Sequence, residues 1–338
     1  MKKRAVALIL ICLLLAGCGE TAPRANARTV FAMDTVMNLT VYGGNDTQLN
    51  AAEQELHRLD AALARGTEGS AVYALNRDGT AAGTELAYLV RSALAISEAT
   101  DGAFDVTVAP VLELWGFGSG AGEHRVPTEA ELAEALAHVG AARLHTDGDT
   151  DHVTLDLPAQ IDLGGIAKGY AALSVKQKLE AAGAAGAVLD LGGDVALLGT
   201  KPDGSNWRVA VKDPADGGAY LGVLATDGDR FVMTSGVYER YFEENGVRYH
   251  HIIDPRTGCP AESGIVSATV VCGDGIWADA LATACCVMGA DASLALRARL
   301  ADETPFELIL VTADGRVLYT CDGFTPEVGN GYTYEKVS

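Results

Sequence analysis

Residues 161–170 are IDLGGIAKGY, an apolar run followed by two glycines and a lysine. The pattern predicts a strand at Gln160–Leu163, a glycine turn, and a helix over about 167–182 with Lys168 in its first turn. Glycines let a ligand approach the backbone, and the N–H groups and dipole of a helix N-terminus favour an anion. Because the stretch is neither a GxGxxG fingerprint nor a P-loop, taken alone it is more often a plain turn than a binding site.

Apolar residues on either side of this stretch alternate between helical and strand-like spacing. Helices are predicted at Asp46–Arg65, Thr84–Thr100, Thr128–His138 (with a capping box of Thr128 and Glu131) and about 277–288. Strands are predicted at Thr29–Tyr42, near 187–191, 195–199, 207–212, 221–225, 230–233, 249–253 and 265–272, and as a pair within about 306–320. The mixture predicts an α+β fold without a clear linker between lobes.

Residues 278–283, ADALAT, lie at the start of the last predicted helix. Asp279 and Thr283 are four residues apart and therefore share one face, opposite a stripe of core residues. A carboxylate and a hydroxyl stacked in this way offer the hard oxygen ligands that Mg²⁺ prefers. Without other evidence, the preferred interpretation is a helix cap at Asp279 and an ordinary helical Thr283.

Residues 249–258, YHHIIDPRTG, predict a strand that ends in a proline-containing turn. Neighbouring side chains on a strand face opposite ways, so one of His250 and His251 can face a site while the other packs inside. Histidine titrates near neutral pH and can take a proton from a hydroxyl. The alternative is a buried, hydrogen-bonded histidine beside an exposed one.

Two further segments combine glycines with aromatic or acidic residues. Residues 100–110, TDGAFDVTVAP, are followed by LWGFG at 114–118, where aromatic rings beside glycines could border a flat ligand. By chemistry alone, ordinary core aromatics are the preferred interpretation. Residues 188–195, VLDLGGDV, predict a strand–turn–strand, with a plain hairpin as the alternative.

The N-terminus carries an export signal. Residues 2–4 are basic, an apolar run follows, and small residues lead to Cys18. We expect a lipoprotein signal peptide at 1–17, a diacylated Cys18 that starts a tether over 18–29, and a single domain over 30–338. The alternative is a plain signal peptide cleaved near Gly17. The expected location is the extracytoplasmic face of a membrane in the cell envelope.

Charge and cysteine content exclude several classes of function. The chain has 45 acidic and 25 basic residues, a net charge of −20, which argues against nucleic acid and anionic lipid surfaces as partners. Five cysteines remain beyond Cys18, with no CxxC spacing, so a zinc site is not expected. An anionic nucleotide would need a local positive site or a metal.

In this order and spacing, the segments resemble the ApbE family of FAD:protein FMN transferases. The resemblance covers nearly the whole mature chain, and three motifs carry it: DLGGIAKG at 162–169, HIIDPRTG at 251–258 and ADALAT at 278–283. It implies a T-fold-related α+β structure of mixed sheets with packed helices, and an FAD cleft between lobes.

The resemblance also implies chemistry. FAD is the expected substrate and Mg²⁺ the cofactor; FMN is transferred to a threonine or serine hydroxyl of an exported acceptor, and AMP is released. Implied acceptors are flavin-carrying subunits of Rnf and sodium-pumping NADH:quinone oxidoreductase complexes, or other exported FMN-binding domains. Two alternatives stay open: hydrolysis of FAD to FMN and AMP by the same site, and a non-catalytic flavin-binding lipoprotein.

Site residues are implied by position in the family motifs. His251 corresponds to the base that deprotonates the acceptor hydroxyl. The implied magnesium ligands are the side chains of Asp279 and Thr283, with backbone contributions from Gly165, Ala167 and Ala282. The implied FAD contacts are Met33, Ser70, Ala103, Phe104, Asp105, Asp162, Lys168 and Ile253.

Overall fold

A nine-stranded sheet forms the centre of the protein. The computed structural model describes residues 24–118, 122–148 and 150–338. The predicted signal peptide and Cys18 lie outside the described residues. The strands are β1 Ala25–Ala32, β2 Thr35–Tyr42, β3 Thr80–Ala82, β4 Leu144–Thr146, β5 His152–Leu155, β6 Gly186–Asp190, β7 Val195–Gly199, β8 Trp207–Lys212, β9 Tyr220–Thr226, β10 Phe231–Gly236, β11 Tyr241–Glu244, β12 Val247–His250, β13 Ile265–Cys272, β14 Phe306–Thr312, β15 Arg316–Tyr319, β16 Phe324–Pro326 and β17 Thr333–Lys336.

Helices pack around this sheet. They are α1 Asp46–Leu63, α2 Ala71–Asp78, α3 Thr84–Ala99, α4 Ala109–Trp115, α5 Glu129–Leu136, α6 Ala167–Ala181, α7 Gly275–Met288 and α8 Ala290–Arg299. The large sheet has the order β1-β2-β6-β7-β10-β13-β14-β15-β17, and three small sheets, β11-β12, β16-β9-β8 and β3-β5-β4, accompany it. All pairs are antiparallel except β15 with β17. This mixture of helices and sheets confirms the predicted α+β class.

The central strands are buried on both faces. Met233 and Val270 belong to the main core beneath the helices, whereas their neighbours Val232 and Val271 pack in a second core on the opposite face. Successive strand residues point to opposite faces, which explains why seven of the eight residues of β13 are buried. Within the residues that the structure describes, no helix combines the length and apolar character needed to span a bilayer.

Several predicted elements differ from the structure. The single strand predicted at Thr29–Tyr42 is a hairpin, because Met33 and Asp34 adopt positive φ values of 50° and 58° and reverse the chain. Strand β1 starts at Ala25, so residues 25–29 belong to the folded domain rather than to the predicted tether of 18–29.

The strand predicted at Gln160–Leu163 is also absent. Only an isolated bridge joins Gln160 to Val108. Residue Ile161 is held instead by the side chain of Asn76, which accepts from its N–H at 2.7 Å and donates to its carbonyl at 2.9 Å. A side-chain amide therefore satisfies the backbone groups that a sheet partner would have satisfied.

Candidate active site

Helices α6 and α7 pack in very close contact at two glycines. A Cβ added at Gly169 would lie 2.1 Å from the carbonyl oxygen of Gly275, and one added at Gly275 would lie 2.5 Å from that of Gly169. Neither position can carry a side chain without separating the helices. The contact lets the backbone N–H of Gly169 donate to Asp279 Oδ2 at 2.8 Å. The glycine of the first motif thus positions the carboxylate of the third.

Asp279 lies inside helix α7 rather than at its cap. Asp274 caps the helix, accepting from the N–H groups of Ile276 and Trp277, so the capping interpretation of Asp279 is wrong. The Asp279 side chain is buried. Burial raises its pKa above the ordinary range, nearby Lys168 opposes that shift, and Asp194 adds to it. A buried carboxylate whose charge is incompletely balanced is suited to bind a cation.

Lys168 is fixed by an ion pair. Its Nζ contacts Asp194 Oδ2, and Asp194 Oδ1 accepts from the N–H of Thr234 at 2.8 Å. Burial alone would lower the pKa of Lys168, but the negative charges of Asp194 and Asp279 outweigh burial and raise it. The lysine is therefore charged and immobile.

Asp194 is the site residue that sequence reasoning missed. It is 1% exposed and ends the glycine turn between β6 and β7, in the segment for which a plain hairpin was the alternative. The detectable signal was an acidic residue directly after two glycines, at the beginning of a buried strand. A buried carboxylate at such a position needs a cationic partner.

The third element of the site is the hydroxyl of Thr283. Its Oγ1 lies 3.1 Å from Ser235 Oγ, and a Cβ placed on Gly165 would be 3.5 Å from it and 3.1 Å from the ring of Phe104. The turn before α6, the third turn of α7 and the end of β10 therefore meet at one point. The structure brings together Gly165, Lys168, Asp279 and Thr283.

The oxygens at this point fit a magnesium ion. In a continuous helix, the N–H of Gly169 would donate to the carbonyl of Gly165. Here this N–H donates to Asp279 instead. Within the described part of the chain, the Gly165 carbonyl accepts no backbone hydrogen bond. A carboxylate, a hydroxyl and a carbonyl are hard ligands, and Mg²⁺ commonly keeps waters and substrate phosphates for its other positions. The described residues contain no cluster of three His, Cys, Asp or Glu side chains able to hold a metal.

Ala167 and Ala282 stay predictions as ligands. Both lie within helices α6 and α7 and offer only backbone carbonyls. Inside a helix, a carbonyl is normally bonded to the N–H four residues later.

The predicted FAD contacts fall into two groups. Phe104 and Ala103 are buried, and Phe104 lies against Gly165. Asp105 and Asp162 each accept local backbone hydrogen bonds, from Thr107 and Gly164 respectively, both at 2.8 Å.

The other contacts lie outside this cluster. Ser70 is 2% exposed, and its hydroxyl caps α2 and donates to the carbonyl of Ala64 at 2.6 Å, so the structure gives it a capping role. Ile253 is buried in a separate cluster with Trp115 and Phe117. Met33 lies in the β1–β2 turn. Thr35, the first residue of β2, contacts Gly192 in the turn that precedes Asp194.

His251 follows β12 and is half-buried. Its Nδ1 lies 3.1 Å from the carbonyl oxygen of Arg240. Because a carbonyl can only accept, Nδ1 carries the proton and Nε2 has the free lone pair. Burial, reinforced by the charge of Arg240, lowers the pKa of His251 to about 4. The imidazole is therefore neutral at physiological pH and able to accept a proton at Nε2.

His250 occupies the interior position of the pair. It is buried, and its Nε2 donates to the carbonyl of Ala261 at 3.2 Å. Burial lowers the pKa of this histidine as well. The more accessible His251, which the sequence favoured, is thus the one whose ring can meet a substrate.

Comparison with known proteins agrees with this geometry. The profile of the ApbE family matches residues 33–306. The FAD:protein FMN transferase of Vibrio cholerae is 33% identical over 329 residues, 93% of this chain and 96% of the relative. That of Treponema pallidum is 34% identical over 314 residues, 85% and 86% of the two chains.

Solved structures agree as well. The ApbE protein of Thermotoga maritima has a TM-score of 0.79 at 34% identity, covering 87% of this chain and 96% of that one. The apo flavinyl transferase ApbE of Pseudomonas stutzeri has a TM-score of 0.77 at 31% identity, covering 87% and 92%. The fold is that of solved flavin transferases, and the chain is a transferase enzyme. The chain belongs to the ApbE family, and the resemblance predicted from its motifs is confirmed.

Proposed function

We propose that this chain transfers FMN from FAD to a threonine or serine hydroxyl of an exported flavoprotein, with Mg²⁺ as cofactor and AMP as leaving group. Flavin transfer is the activity named for its relatives. The observation that carries the detailed proposal is His251: a neutral imidazole with Nδ1 bound to a carbonyl and Nε2 unpaired among the described residues. Binding of flavin alone needs no base, so this geometry favours an enzyme over a flavin carrier.

The proposed reaction exchanges one P–O bond for another. The acceptor hydroxyl gives its proton to His251 Nε2, and its oxygen bonds to the phosphorus on the FMN side of the pyrophosphate. The bond from that phosphorus to the bridging oxygen breaks, and AMP leaves with the oxygen. When bound, Mg²⁺ supplies charge neutralisation for the phosphates.

The residues of the chain hold the reactants and the charge. Asp279 and Thr283 would hold the metal together with the carbonyl of Gly165. The ion pair with Asp194 would hold the charge of Lys168 at the N-terminus of α6. A preorganised cation stabilises developing negative charge without reorganisation during the reaction.

Hydrolysis of FAD is the second candidate, since water could replace the acceptor hydroxyl beside the same base. The test incubates the full chain in detergent with FAD, Mg²⁺ and the flavin-carrying domain of a sodium-pumping NADH:quinone oxidoreductase subunit. We expect the intact mass of that domain to increase by one FMN. Asp279→Asn keeps an oxygen that can accept the hydrogen bond from Gly169 but removes the negative charge, so this variant should lose metal-dependent turnover. His251→Ala should bind FAD without transferring FMN. Full activity of either variant would refute its assigned role.

The proposal includes attachment to the outer face of a membrane through Cys18, with the sequence of residues 1–18 as its support. A folded domain that starts at Ala25 leaves six residues, 19–24, between the anchor and β1. Acceptors would therefore be domains on the same membrane face. Mass spectrometry of the mature N-terminus should detect a diacylated Cys18; an unacylated N-terminus would contradict the anchor.

A further inference from the structure

Arg240 lies between β10 and β11, and both its backbone carbonyl and its guanidinium are held by hydrogen bonds close to the proposed base. Its carbonyl accepts from the backbone N–H of His251 at 3.0 Å and from Nδ1 of the same residue at 3.1 Å. Its guanidinium donates to the carbonyl of Phe117 at 2.8 Å. The ring of Phe117 in turn lies 6.3 Å from the imidazole of His251. The guanidinium is therefore held close to the base by neutral groups.

Three other cations of this region have acidic partners. Lys168 pairs with Asp194, Arg248 with Glu243, and Arg256 with Asp254. The side-chain hydrogen bond that Arg240 makes within the described residues goes to a neutral carbonyl, and the residue is exposed. Arg240 thus presents an uncompensated positive charge in a chain whose net charge is −20.

We propose that Arg240 is a catalytic residue that binds the phosphoryl group being transferred. The inference rests on the proposed function, in which the oxygen deprotonated by His251 attacks the phosphorus on the FMN side. The base and that phosphate must then be neighbours in the reacting complex, so a guanidinium beside the base faces the same phosphate. Arginine matches phosphate oxygens with two parallel N–H donors. The charge of Lys168 is partly balanced by Asp194, whereas Arg240 has a neutral carbonyl as its side-chain partner among the described residues.

The charged groups around His251 support this arrangement. Arg240, His250 and Lys168 surround it, and after burial the charge of Arg240 has the largest lowering effect on its pKa. Removing that charge should raise the pKa of His251, which moves the acid limb of the rate profile to higher pH. That shift would show that the charge of Arg240 acts on His251, whereas binding of the phosphate by Arg240 is tested by the ligand comparison below.

The test compares binding of FMN and riboflavin, two ligands that differ by the phosphate. Arg240→Gln keeps a donor for the Phe117 carbonyl but removes the charge. Arg248→Gln is the matched control, because it makes the same charge change on the neighbouring β12 strand, where the guanidinium stacks on Tyr241 at 4.1 Å. Dissociation constants are measured by flavin fluorescence with the full chain in detergent.

We expect Arg240→Gln to weaken FMN binding by about tenfold or more, as for loss of a hydrogen bond to a charged group, with riboflavin binding unchanged. Arg240→Lys should recover part of the loss, and Arg248→Gln should match the wild type. Equal weakening of both ligands, or the same loss in Arg248→Gln, would overturn the inference. If the wild type bound FMN no better than riboflavin, only the role of Arg240 would be refuted. If the wild type bound neither flavin, the proposed function would be refuted and this inference with it.

Discussion

A methyl group at Gly169 tests how the first and third motifs are coupled. In Gly169→Ala, the new Cβ would be 2.1 Å from the carbonyl oxygen of Gly275 and 2.8 Å from Asp279 Cβ. Ordinary contact requires α6 and α7 to separate by roughly 1 Å. The carboxylate of Asp279, which is bonded to the N–H of Gly169 at 2.8 Å, would move relative to Lys168 and Thr283.

Stability and turnover should respond by different amounts. Overpacking costs about 1–3 kcal/mol, while the better helix propensity of alanine returns about 1 kcal/mol, so the free energy of unfolding should fall by no more than about 2 kcal/mol. A displacement of about 1 Å in a catalytic site can cost on the order of 100-fold in rate. We therefore predict a folded variant whose metal-dependent release of AMP from FAD falls by about two orders of magnitude.

The assay is chromatographic detection of AMP, with thermal unfolding measured on the same preparations. Gly273→Ala is the control, because its Cβ would meet no atom within 4 Å and it lies just before α7; it should match the wild type in both measurements. If Gly169→Ala kept wild-type turnover, or lost turnover only in proportion to its unfolded fraction, the coupling through this glycine contact would be wrong.

Three further perturbations probe the remaining groups. Thr283→Ser, which keeps the hydroxyl beside Ser235, should retain most activity and Mg²⁺ affinity, whereas Thr283→Val should lose both; calorimetric titration with Mg²⁺ and FAD that ranks the two equally would exclude Thr283 as a ligand. Asp194→Asn removes a negative charge that raises the pKa of Lys168 against the lowering effect of burial, so the pKa of Lys168 should fall and the alkaline loss of activity should move to lower pH. An unchanged alkaline limb would mean that the ion pair does not control the charge of Lys168. For His251, a pKa of about 4 predicts that kcat/KM at saturating Mg²⁺, which keeps Asp279 ionised, falls only as the pH drops towards 4, when protonation removes the free lone pair. An acid limb near the ordinary histidine value would contradict that assignment.

Local patterns in the sequence predicted most of the fold. The capping box of Thr128 and Glu131 is present, and β13 spans the predicted residues 265–272, because caps and strongly apolar strands are determined by neighbouring residues. The β1–β2 hairpin was not predicted, since Met33 and Asp34 are not the glycine or asparagine usually required at positive φ. Short helices such as α2 and α4 leave too few turns for a clear periodicity.

Pairwise contacts in the site required the tertiary structure. Motif spacing predicted that Asp279 and Thr283 share a helix face, but not that Asp194 pairs with Lys168 across 26 residues. Likewise, the carbonyl that sets the tautomer of His251 belongs to Arg240, which directly precedes β11 of the β11–β12 hairpin. Such partners are determined by packing between elements, for which a single sequence holds no local signal.

The stoichiometry of flavin attachment tests the central claim most directly. The full chain is incubated with FAD, Mg²⁺ and the purified acceptor domain, and the AMP released is quantified together with the acceptor molecules that gain one FMN by intact mass. Transfer through this site predicts one FMN-bearing acceptor for each AMP, with both products lost in His251→Ala. AMP accompanied by an equal amount of free FMN, with no change in acceptor mass, would contradict transfer and identify the chain as a hydrolase of FAD.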